Sequence, residues 1–376
     1  MSTATSVAQL RRDRNWSQEE LAAKSGVSRA EVSAIETGRL VPSVAVALRI
    51  ASALGQSVEA VFGPQDAQPE VPWAWDQTAA GDGRVWQASV NGRTMVYPVE
   101  LTAAGVLPHD GWFDGRRLHP RAGTTADATV VVAGCDPLVG LLARELMLRH
   151  RVRVLPLLRS SAQALDLLRR GLVHAAGLHV TDAAGRSTND RLVLTALGAG
   201  HRLIHQVQWD SGIAVVAGRR ERSAGALLRA NVRWVNREEG SAARHTFDTL
   251  LASRRRPAGY EHVVRDHRAV ATTVASGWAE AGVCVRPAAA EARLSFIPLQ
   301  QEAYELCVVD SQTDDPRIAA LIATLQSKNY RQLVADVPGC ESVHTGDVRS
   351  VSLPNRTAHI ASSNAFSRFK ADGTMQ

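Results

Sequence analysis

Apolar residues recur every three or four positions through the amino-terminal part of the chain. Val7 and Leu10 lie on one face of a first segment. The next two segments share an inner face made of Leu21, Ala22, Val27, Val32 and Ile35. This spacing is typical of amphipathic helices that bury one side against their neighbours. It predicts an all-α domain of five helices over residues 1–63.

Two of these helices begin with the same capping motif. Ser17 is followed three residues later by Glu20, and Ser28 is followed in the same way by Glu31. In such a capping box each side chain bonds the backbone amide of the other residue and fixes the start of a helix. Gly26, between the two helices, suits the left-handed backbone that a tight turn requires. The pair is therefore predicted to be a helix-turn-helix unit.

The stretch "SQEELAAKSGVSRAEVSAIETGRLVPS" resembles the Cro/C1-type, or xenobiotic-response-element (XRE), family of helix-turn-helix regulators, and the resemblance extends over residues 7–63. It implies a double-stranded DNA partner, with the second helix of the motif in the major groove, and a homodimer or higher homo-oligomer that reads paired half-sites. The implied DNA-binding residues are Gln18, Ser28, Arg29, Ala30, Ser33, Ala34, Thr37 and Arg39.

Arg29 is the strongest base reader in that set, because a guanidinium can donate to both O6 and N7 of one guanine. The alternative is a solvated surface arginine. Ala30 and Ala34 offer only a methyl group, which suits contact with thymine, so the sequence does not predict the operator.

Residues 64–127 are rich in Pro, Gly and Trp, and "VWQASVNGRTMVYPVEL" alternates like two strands around an Asn-Gly turn. Asn-Gly strongly favours the turn of a two-residue hairpin. We predict a linker that carries a β-hairpin. The tryptophans at Trp73, Trp75, Trp86 and Trp112 either pack this region against a neighbouring domain or subunit, or belong to a partly ordered linker.

Apolar strands and amphipathic helices alternate from residue 128 to residue 346. The predicted strands are 130–133, 152–157, 173–180, 212–217, 233–236 and 281–285. This order is typical of an α/β fold with mainly parallel strands. Residues suited to capping stand before several helices: Asp136, Ser160, Ser241 and Asp315. Residues 347–376 are predicted to be a disordered tail.

Several stretches of this module resemble the periplasmic-binding-protein-like domain that is related to molybdate-binding proteins and is fused to helix-turn-helix regulators in bacteria. They include "VVAGCDPLVGLLA", "RSSAQALDLLRRGLVHAAGLHV" and "VNREEGSAARHTFDTLL". The resemblance implies a type II fold of two α/β lobes joined by crossing strands. Lobe one is then residues 128–207 plus 297–340, lobe two lies between, and a ligand binds in the cleft. The whole chain is thus predicted to be a multidomain protein.

Helix starts at the carboxyl ends of strands are the best candidates for an anion site. Arg237, Gly240 and Ser241 offer a cation, free amides and a hydroxyl at one such start. Ser160 and Ser161 offer hydroxyls at another. Alternatively, Arg237 only pairs with an adjacent glutamate and Ser241 only caps its helix.

The rest of the predicted ligand-binding set is Cys135, Asp136, His179, Arg244 and Tyr304. Asp136 would repel an anion unless it caps a helix or meets an ammonium group, so a zwitterionic ligand stays open. His174 and His179 are five residues apart on one strand and therefore face opposite sides, which excludes chelation of one metal ion by both.

Composition narrows the class of protein. A net charge of +6 and a pI near 9.5 suit a nucleic-acid partner. No apolar run approaches the ~18 residues of a membrane span, and the first residues lack the apolar core of a secretory signal, so we expect a cytoplasmic protein. The four cysteines form no C-x-x-C pair and predict reduced, buried thiols with no metal site.

No nucleophile elbow, zinc-protease, P-loop or dinucleotide motif occurs, so we expect neither enzymatic activity nor a cofactor. The sequence predicts a ligand-responsive, one-component bacterial transcriptional regulator. Its expected effector is an oxyanion such as molybdate or tungstate, or a small organic acid. The alternative is a DNA-binding scaffold in which the carboxy-terminal module binds no ligand and serves only dimerisation.

Overall fold

The computed structural model of the chain describes residues 4–62, 72–75, 83–114, 118–123, 125–182, 186–252 and 254–351. These residues fall into two compact units. The first contains the residues up to Pro72 together with Trp112–His119. The second contains Trp73–Gly111 and the residues from Pro120 onward. None of the helices in the described ranges combines the length and hydropathy that crossing a bilayer requires.

The first unit holds the five predicted helices. They are α1 (Ala4–Asp13), α2 (Gln18–Ser25), α3 (Arg29–Glu36), α4 (Val44–Ala53) and α5 (Val58–Phe62). Ser17 and Ser28 both form complete capping boxes, and Gly26 ends α2 in the left-handed conformation with φ of 62°. The helix-turn-helix prediction is confirmed at the level of its caps and its turn.

The core of this unit is the apolar face that the sequence pattern predicts. Leu21, Val32 and Ile35 are buried together with residues of α1 and α4. The guanidinium of Arg11 links α1 to the end of α3, because its Nε donates to Glu36 Oε1 at 2.6 Å. Glu36 is therefore structural and is not free to contact a base.

The second unit begins with the predicted hairpin. Strands β1 (Arg84–Val90) and β2 (Arg93–Pro98) pair around Asn91 and Gly92, whose φ angles are 52° and 72°. Positive φ at both positions is the geometry that Asn-Gly favours. Two short strands follow along the chain, β3 (Gly111–Phe113) and β4 (Leu118–Pro120), and their residues 112–113 and 118–119 belong to the first unit.

This hairpin is part of the α/β module and is not a linker. Trp86 and Tyr97 are buried in one apolar cluster with residues of the strand and helix that follow residue 152. Tyr97 Oη donates to the Leu172 carbonyl at 2.8 Å, and Arg153 pairs with Asp110 at 2.5 Å. The predicted module boundary at residue 128 therefore lies too late, because it cuts through a shared core.

The remaining elements alternate as the sequence pattern predicts. In lobe one and its connections they are β5 (Thr129–Gly134), α6 (Val139–His150), β6 (Arg153–Leu158), α7 (Ser161–Arg169), β7 (Ala175–Leu178), α8 (Asn189–Ala196) and β8 (His201–Val215). Lobe two adds α9 (Ala224–Arg229), β9 (Trp234–Arg237), α10 (Ala242–Leu251), β10 (Val263–Val264), α11 (His267–Ala275), β11 (Ala281–Val285) and α12 (Arg286–Glu291). The chain then returns through β12 (Ser295–Val309), α13 (Pro316–Gln326), α14 (Lys328–Ala335), β13 (Cys340–Glu341) and β14 (Val348–Ser350).

Two long strands join the lobes. The main sheet runs β10-β9-β11-β8-β12-β7-β5-β6, with parallel strands at both ends. At its centre β8 and β12 pair antiparallel over their whole length. The predicted strand at 212–217 is the far half of β8, so the sheet is more mixed than the expectation of mainly parallel strands. The two-lobed α/β architecture is confirmed.

The module extends beyond the predicted end at residue 346. Strand β14 pairs with β8, and the buried Val351 donates its amide to the His201 carbonyl at 2.9 Å. The prediction of a disordered tail is wrong for residues 347–351, because these residues complete the sheet. The rest of that predicted tail, 352–376, lies outside the described residues.

Candidate functional site

The candidate site lies where the two lobes meet, at the carboxyl ends of their parallel strands. Cys135 follows β5 and His179 follows β7 in lobe one, while Arg237 ends β9 and His267 begins α11 in lobe two. Tyr304 lies between them on β12. All five residues are at least 97% buried. The fold thus gathers residues far apart in the sequence into one enclosed cleft, where such folds bind ligands.

The two helix starts predicted to hold an anion lie opposite each other. Gly240 precedes α10 in lobe two with φ of 80°, and a Cβ atom built on it would lie 3.9 Å from Ser160 Oγ. Ser160 is the capping residue of α7 in lobe one. The lobes are therefore closed on each other, with little space between these two turns.

The three predicted serines differ in their hydrogen bonds. Ser160 forms a capping box with Gln163, and Ser241 Oγ accepts from the Arg244 amide at 3.2 Å and donates to the Glu238 carbonyl at 2.9 Å. Ser161 Oγ is buried and has no hydrogen-bond partner among the described residues. Ser160 and Ser241 thus serve their helices, and the hydroxyl of Ser161 is available to a ligand.

Arg237 is a buried cation with donors to spare. Its Nη2 donates to Glu238 Oε1 at 2.9 Å, as the simple ion-pair alternative predicts. Its Nε and Nη1 have no partner among the described residues, although the side chain is only 1% exposed. Buried donors without partners are costly and rare, so each one asks for an explanation. An acceptor that is supplied by a ligand would satisfy both.

Cys135 and His179 form a close pair. Cys135 Sγ lies 3.1 Å from His179 Nε2, and His179 Nδ1 lies 2.8 Å from Glu302 Oε2. Because the carboxylate accepts the Nδ1 proton, Nε2 is the nitrogen directed at sulfur. Burial raises the pKa of the Cys135 thiol, but the charge of His179 outweighs it and lowers that pKa. Burial likewise lowers the pKa of His179, and Cys135 and Glu302 together raise it.

His267 reaches the same sulfur from the opposite lobe. Its Nε2 lies 3.8 Å from Cys135 Sγ, and its Nδ1 has no partner in the described part of the chain. Burial, together with the charge of Arg237, holds the pKa of His267 well below its usual value, so the ring is neutral. The donor atoms of Cys135, His179 and His267 all lie within 4.8 Å of one another.

Glu302 is itself held in place. Gln300 Nε2 donates to its Oε1 at 2.9 Å, and Trp209 Nε1 lies 3.4 Å from its Oε2. Burial raises the pKa of Glu302, but the bonds from His179 and Gln300 outweigh it and keep the carboxyl ionised. The ring of His179 also packs edge-on against Trp209, with centroids 5.5 Å apart.

Asp136 and Arg244 have settled partners. Asp136 accepts from the Leu138 amide at 2.7 Å and from Gln206 Nε2 at 2.5 Å, and burial raises its pKa to about 6. The prediction that Asp136 caps helix α6 is wrong, because the helix begins later, at Val139, and its N-cap residue is Leu138. The guanidinium of Arg244 donates to Asp248, to Tyr260 Oη and to a backbone carbonyl. We therefore remove Arg244 from the ligand-binding set, because its nitrogens are already occupied.

Tyr304 stands in the cluster because glycines leave room for it. A Cβ atom on Gly134 or Gly177 would lie 2.2 Å and 1.7 Å from the Tyr304 hydroxyl. The sequence reasoning missed His267, Glu302, Gln206 and Trp209. Two signals in the sequence point to His267 and Glu302. Asp266 is a capping residue directly before His267, at the start of α11. Glu302 alternates with Gln300 and Tyr304 along one strand.

The predicted DNA-reading surface is exposed where α3 begins. The Arg29 side chain is 67% exposed and its only described charge partner is Glu19 at 3.8 Å. Ala30, Thr37 and Arg39 are exposed, and Ser33 and Ala34 are half-buried. Gln18 donates to Glu36 at 2.8 Å, and Ser28 is used in its capping box. Arg29 is thus the side chain of this set that is freest to reach a base.

Comparison with known proteins agrees with this two-part architecture. Residues 7–61 match the Helix-turn-helix family, and residues 143–326 match the PBP superfamily domain. The chain belongs to the XRE-type helix-turn-helix proteins that carry a PBP superfamily domain. It is 31% identical over 228 residues to an uncharacterized protein, YvgK, of Bacillus subtilis (strain 168). The matched region covers 58% of this chain and 73% of that protein.

Two further comparisons each cover part of the chain. An uncharacterized HTH-type transcriptional regulator, y4dJ, of Sinorhizobium fredii is 40% identical over 62 residues, which are 16% of this chain and 80% of that protein. A solved ABC-type phosphate transport receptor from Vibrio cholerae covers 56% of this chain and 98% of its own, at 14% identity and a TM-score of 0.39. A TM-score this low carries no conclusion about the ligand.

Proposed function

We propose that the protein is a ligand-responsive transcriptional regulator whose effector is a small anion held in the interlobe cleft. One observation carries this proposal: Arg237 is buried at the meeting point of the lobes, and two of its donors have no partner among the described residues. A guanidinium in that state matches an oxyanion or a carboxylate, which accepts two parallel N–H bonds. The unpaired hydroxyl of Ser161, on lobe one, supplies another donor in the same interlobe region.

The geometry favours a ligand of few atoms. A Cβ atom built on Gly240 would already touch Ser160 Oγ at 3.9 Å, so a bulky molecule has little room between the two helix starts in the closed state. Asp136 is already bonded to Leu138 and Gln206, which removes the need for an ammonium group. Molybdate or tungstate is the first candidate and a small organic acid the second. A cofactor and an enzymatic activity form no part of the proposal.

Ligand binding would reach DNA through closure of the lobes. A ligand shifts the balance between open and closed forms only by its preference for one of them. A ~100-fold preference corresponds to about 2.7 kcal/mol, which sets the upper limit on the change in DNA affinity. The reader itself is α3, with Arg29 as its exposed cation at the helix start.

A cytoplasmic homodimer completes the proposal, because helix-turn-helix readers address paired half-sites. Exposed apolar side chains on the reader offer a contact for a second copy: Leu40, Val41, Val44 and Leu48. Sedimentation equilibrium on the full chain checks this part. A monomer at micromolar concentration in the presence of DNA would contradict it.

Calorimetry on the full chain tests the effector. Molybdate, tungstate, phosphate, sulfate and small organic acids are titrated into the wild type, Arg237→Met and Arg229→Met, an exposed arginine on α9 that serves as the control. We expect one anion to bind the wild type and the control, and to lose at least tenfold in affinity for Arg237→Met. Equal binding by all three proteins would exclude Arg237 from the site. Binding of none would favour the ligand-free scaffold.

A further inference from the structure

The cleft contains a second feature that an anion does not explain. Cys135 Sγ, His179 Nε2 and His267 Nε2 converge on one point, and the sulfur lies 3.1 Å and 3.8 Å from the two nitrogens. In a tetrahedral site with bonds of about 2.3 Å to sulfur and about 2.0 Å to nitrogen, sulfur and nitrogen ligands lie about 3.5 Å apart. Both sulfur–nitrogen distances are thus close to those of ligands of one ion, and all three donor atoms lie within 4.8 Å of one another.

The surroundings of the two histidines favour the same interpretation. His179 gives its second nitrogen to Glu302 at 2.8 Å, which is the carboxylate–histidine arrangement that orients metal ligands. Gln300 and Trp209 hold that carboxylate in turn. His267 is 1% exposed, and among the described residues its Nε2 makes a contact with the Cys135 sulfur at 3.8 Å. A buried imidazole left with so weak a contact indicates a missing partner.

Donor type restricts the ion. The three converging atoms are one cysteine sulfur and two imidazole nitrogens. One thiolate and two imidazoles suit borderline and soft cations such as Zn²⁺, Co²⁺ or Cu⁺, and not Mg²⁺ or Ca²⁺, which prefer oxygen. Three protein ligands leave one coordination position open.

We propose that Cys135, His179 and His267 form a transition-metal site that ties the two lobes together. Cys135 and His179 belong to lobe one and His267 to lobe two, so an ion bound by all three holds the cleft closed. The site uses none of the donors of Arg237 and Ser161, and it does not depend on the identity of the anion. An anion in the open coordination position would lie in the same cleft as Arg237.

The arrangement Cys135–His179–Glu302 also has the order of a nucleophile, a base and an orienting carboxylate. His267 distinguishes the two interpretations. A thiolate nucleophile needs one base and an open approach, whereas this sulfur is 97% buried and has an imidazole nitrogen on each side. The metal interpretation uses all three donors, and the nucleophile interpretation leaves His267 unexplained.

Cobalt is the direct probe, because a thiolate bound to Co²⁺ gives a charge-transfer band and a tetrahedral site gives intense d–d bands. The full chain is stripped with a chelator, reduced without added thiol, and titrated with Co²⁺ and then Zn²⁺. We expect saturation at one equivalent of Co²⁺ and bleaching by Zn²⁺. Cys135→Ser should lose the charge-transfer band, and His267→Gln should lose at least tenfold in Co²⁺ affinity. Glu302→Gln should lose about 10-fold to 100-fold.

Cys340→Ser is the matched control, because Cys340 is also a buried free thiol but lies on β13. It should keep the full spectrum. The absence of a thiolate band in the wild type, its persistence in Cys135→Ser, or its equal loss in the control would each overturn the site. Circular dichroism confirms that each metal-free variant is folded. If Cys135→Ser is not, protection of Cys135 from iodoacetamide by Zn²⁺ in the wild type replaces it, and an unchanged alkylation rate overturns the site.

The anion proposal fails or holds independently of this one. Anion titrations are repeated on metal-free protein and on His267→Gln. Anion binding without a cobalt spectrum removes only the metal site, and a cobalt spectrum without anion binding removes only the proposed anion.

Discussion

Replacing Arg237 by methionine should stabilise the ligand-free protein while it removes effector binding. In the part of the chain that the structure describes, Nε and Nη1 of Arg237 are buried without partners. The third nitrogen bonds Glu238, whose side chain is 22% exposed. Each unsatisfied buried donor costs about 1–3 kcal/mol, and the bond to a partly exposed glutamate returns roughly 1 kcal/mol. Methionine fills most of the same volume without a polar group.

The expected net effect is a gain of about 1–5 kcal/mol in the free energy of unfolding of the second unit. At about 2–4 °C per kcal/mol for a domain of this size, the unfolding midpoint should rise by several degrees. Differential scanning calorimetry on the full chain resolves the transition of the second unit from that of the reader, and the measurement is made without added anion.

Arg244→Met is the control for this measurement. Arg244 is an arginine of the same lobe whose donors are satisfied by Asp248, Tyr260 and a backbone carbonyl. Its loss leaves acceptors unpaired and should lower the midpoint. If Arg237→Met lowers the midpoint as much as Arg244→Met does, then Arg237 is a structural residue and the anion site must be sought elsewhere.

Three further predictions concern other parts of the chain. Arg29→Ala should cost roughly 1–3 kcal/mol at a selected operator and little on random DNA, as fluorescence anisotropy would show; equal weakening on both would make Arg29 a phosphate contact. A fragment of residues 124–351 should unfold more readily in urea than one of residues 73–351, because it lacks the buried Trp86 and Tyr97; equal midpoints would restore the boundary at residue 128. Burial and the charge of Arg317 lower the pKa of His174 to about 4, below the ordinary 6.5, so its folded form resists protonation and stability should fall as pH drops from about 6.5 to 4. Urea titrations at the two pH values measure this loss of unfolding free energy, and His174→Gln should reduce the loss by about 3 kcal/mol. An equal loss in the wild type and the variant would contradict the assignment.

Local signals in the sequence predicted the elements well. The capping boxes at Ser17, Ser28 and Ser160 act within one helical turn, so the residues that form them are adjacent in sequence. The Asn91-Gly92 turn is equally local. Strand and helix periodicity then gives the α/β order, because burial of one face follows from the nearest neighbours along the chain.

The site was harder to predict from the sequence, because the residues that contact each other in it are far apart along the chain. His179 lies 44 residues from Cys135, and His267 lies 132 residues from it, so no spacing motif connects them. The absence of a C-x-x-C pair excluded a local metal motif but said nothing about ligands that are brought together by crossing strands. Arg244 was misplaced for the related reason that Asp248, one turn away, and Tyr260 compete for its guanidinium.

The most direct test of the central claim measures DNA affinity with and without the effector. DNA is selected from a random pool with the full chain, and the Kd is measured by anisotropy in the presence of the anion identified by calorimetry. We predict that the anion changes the Kd of the wild type, by up to about 100-fold, and leaves that of Arg237→Met unchanged. An anion that binds the cleft in calorimetry but leaves the wild-type Kd unchanged would contradict a ligand-responsive regulator.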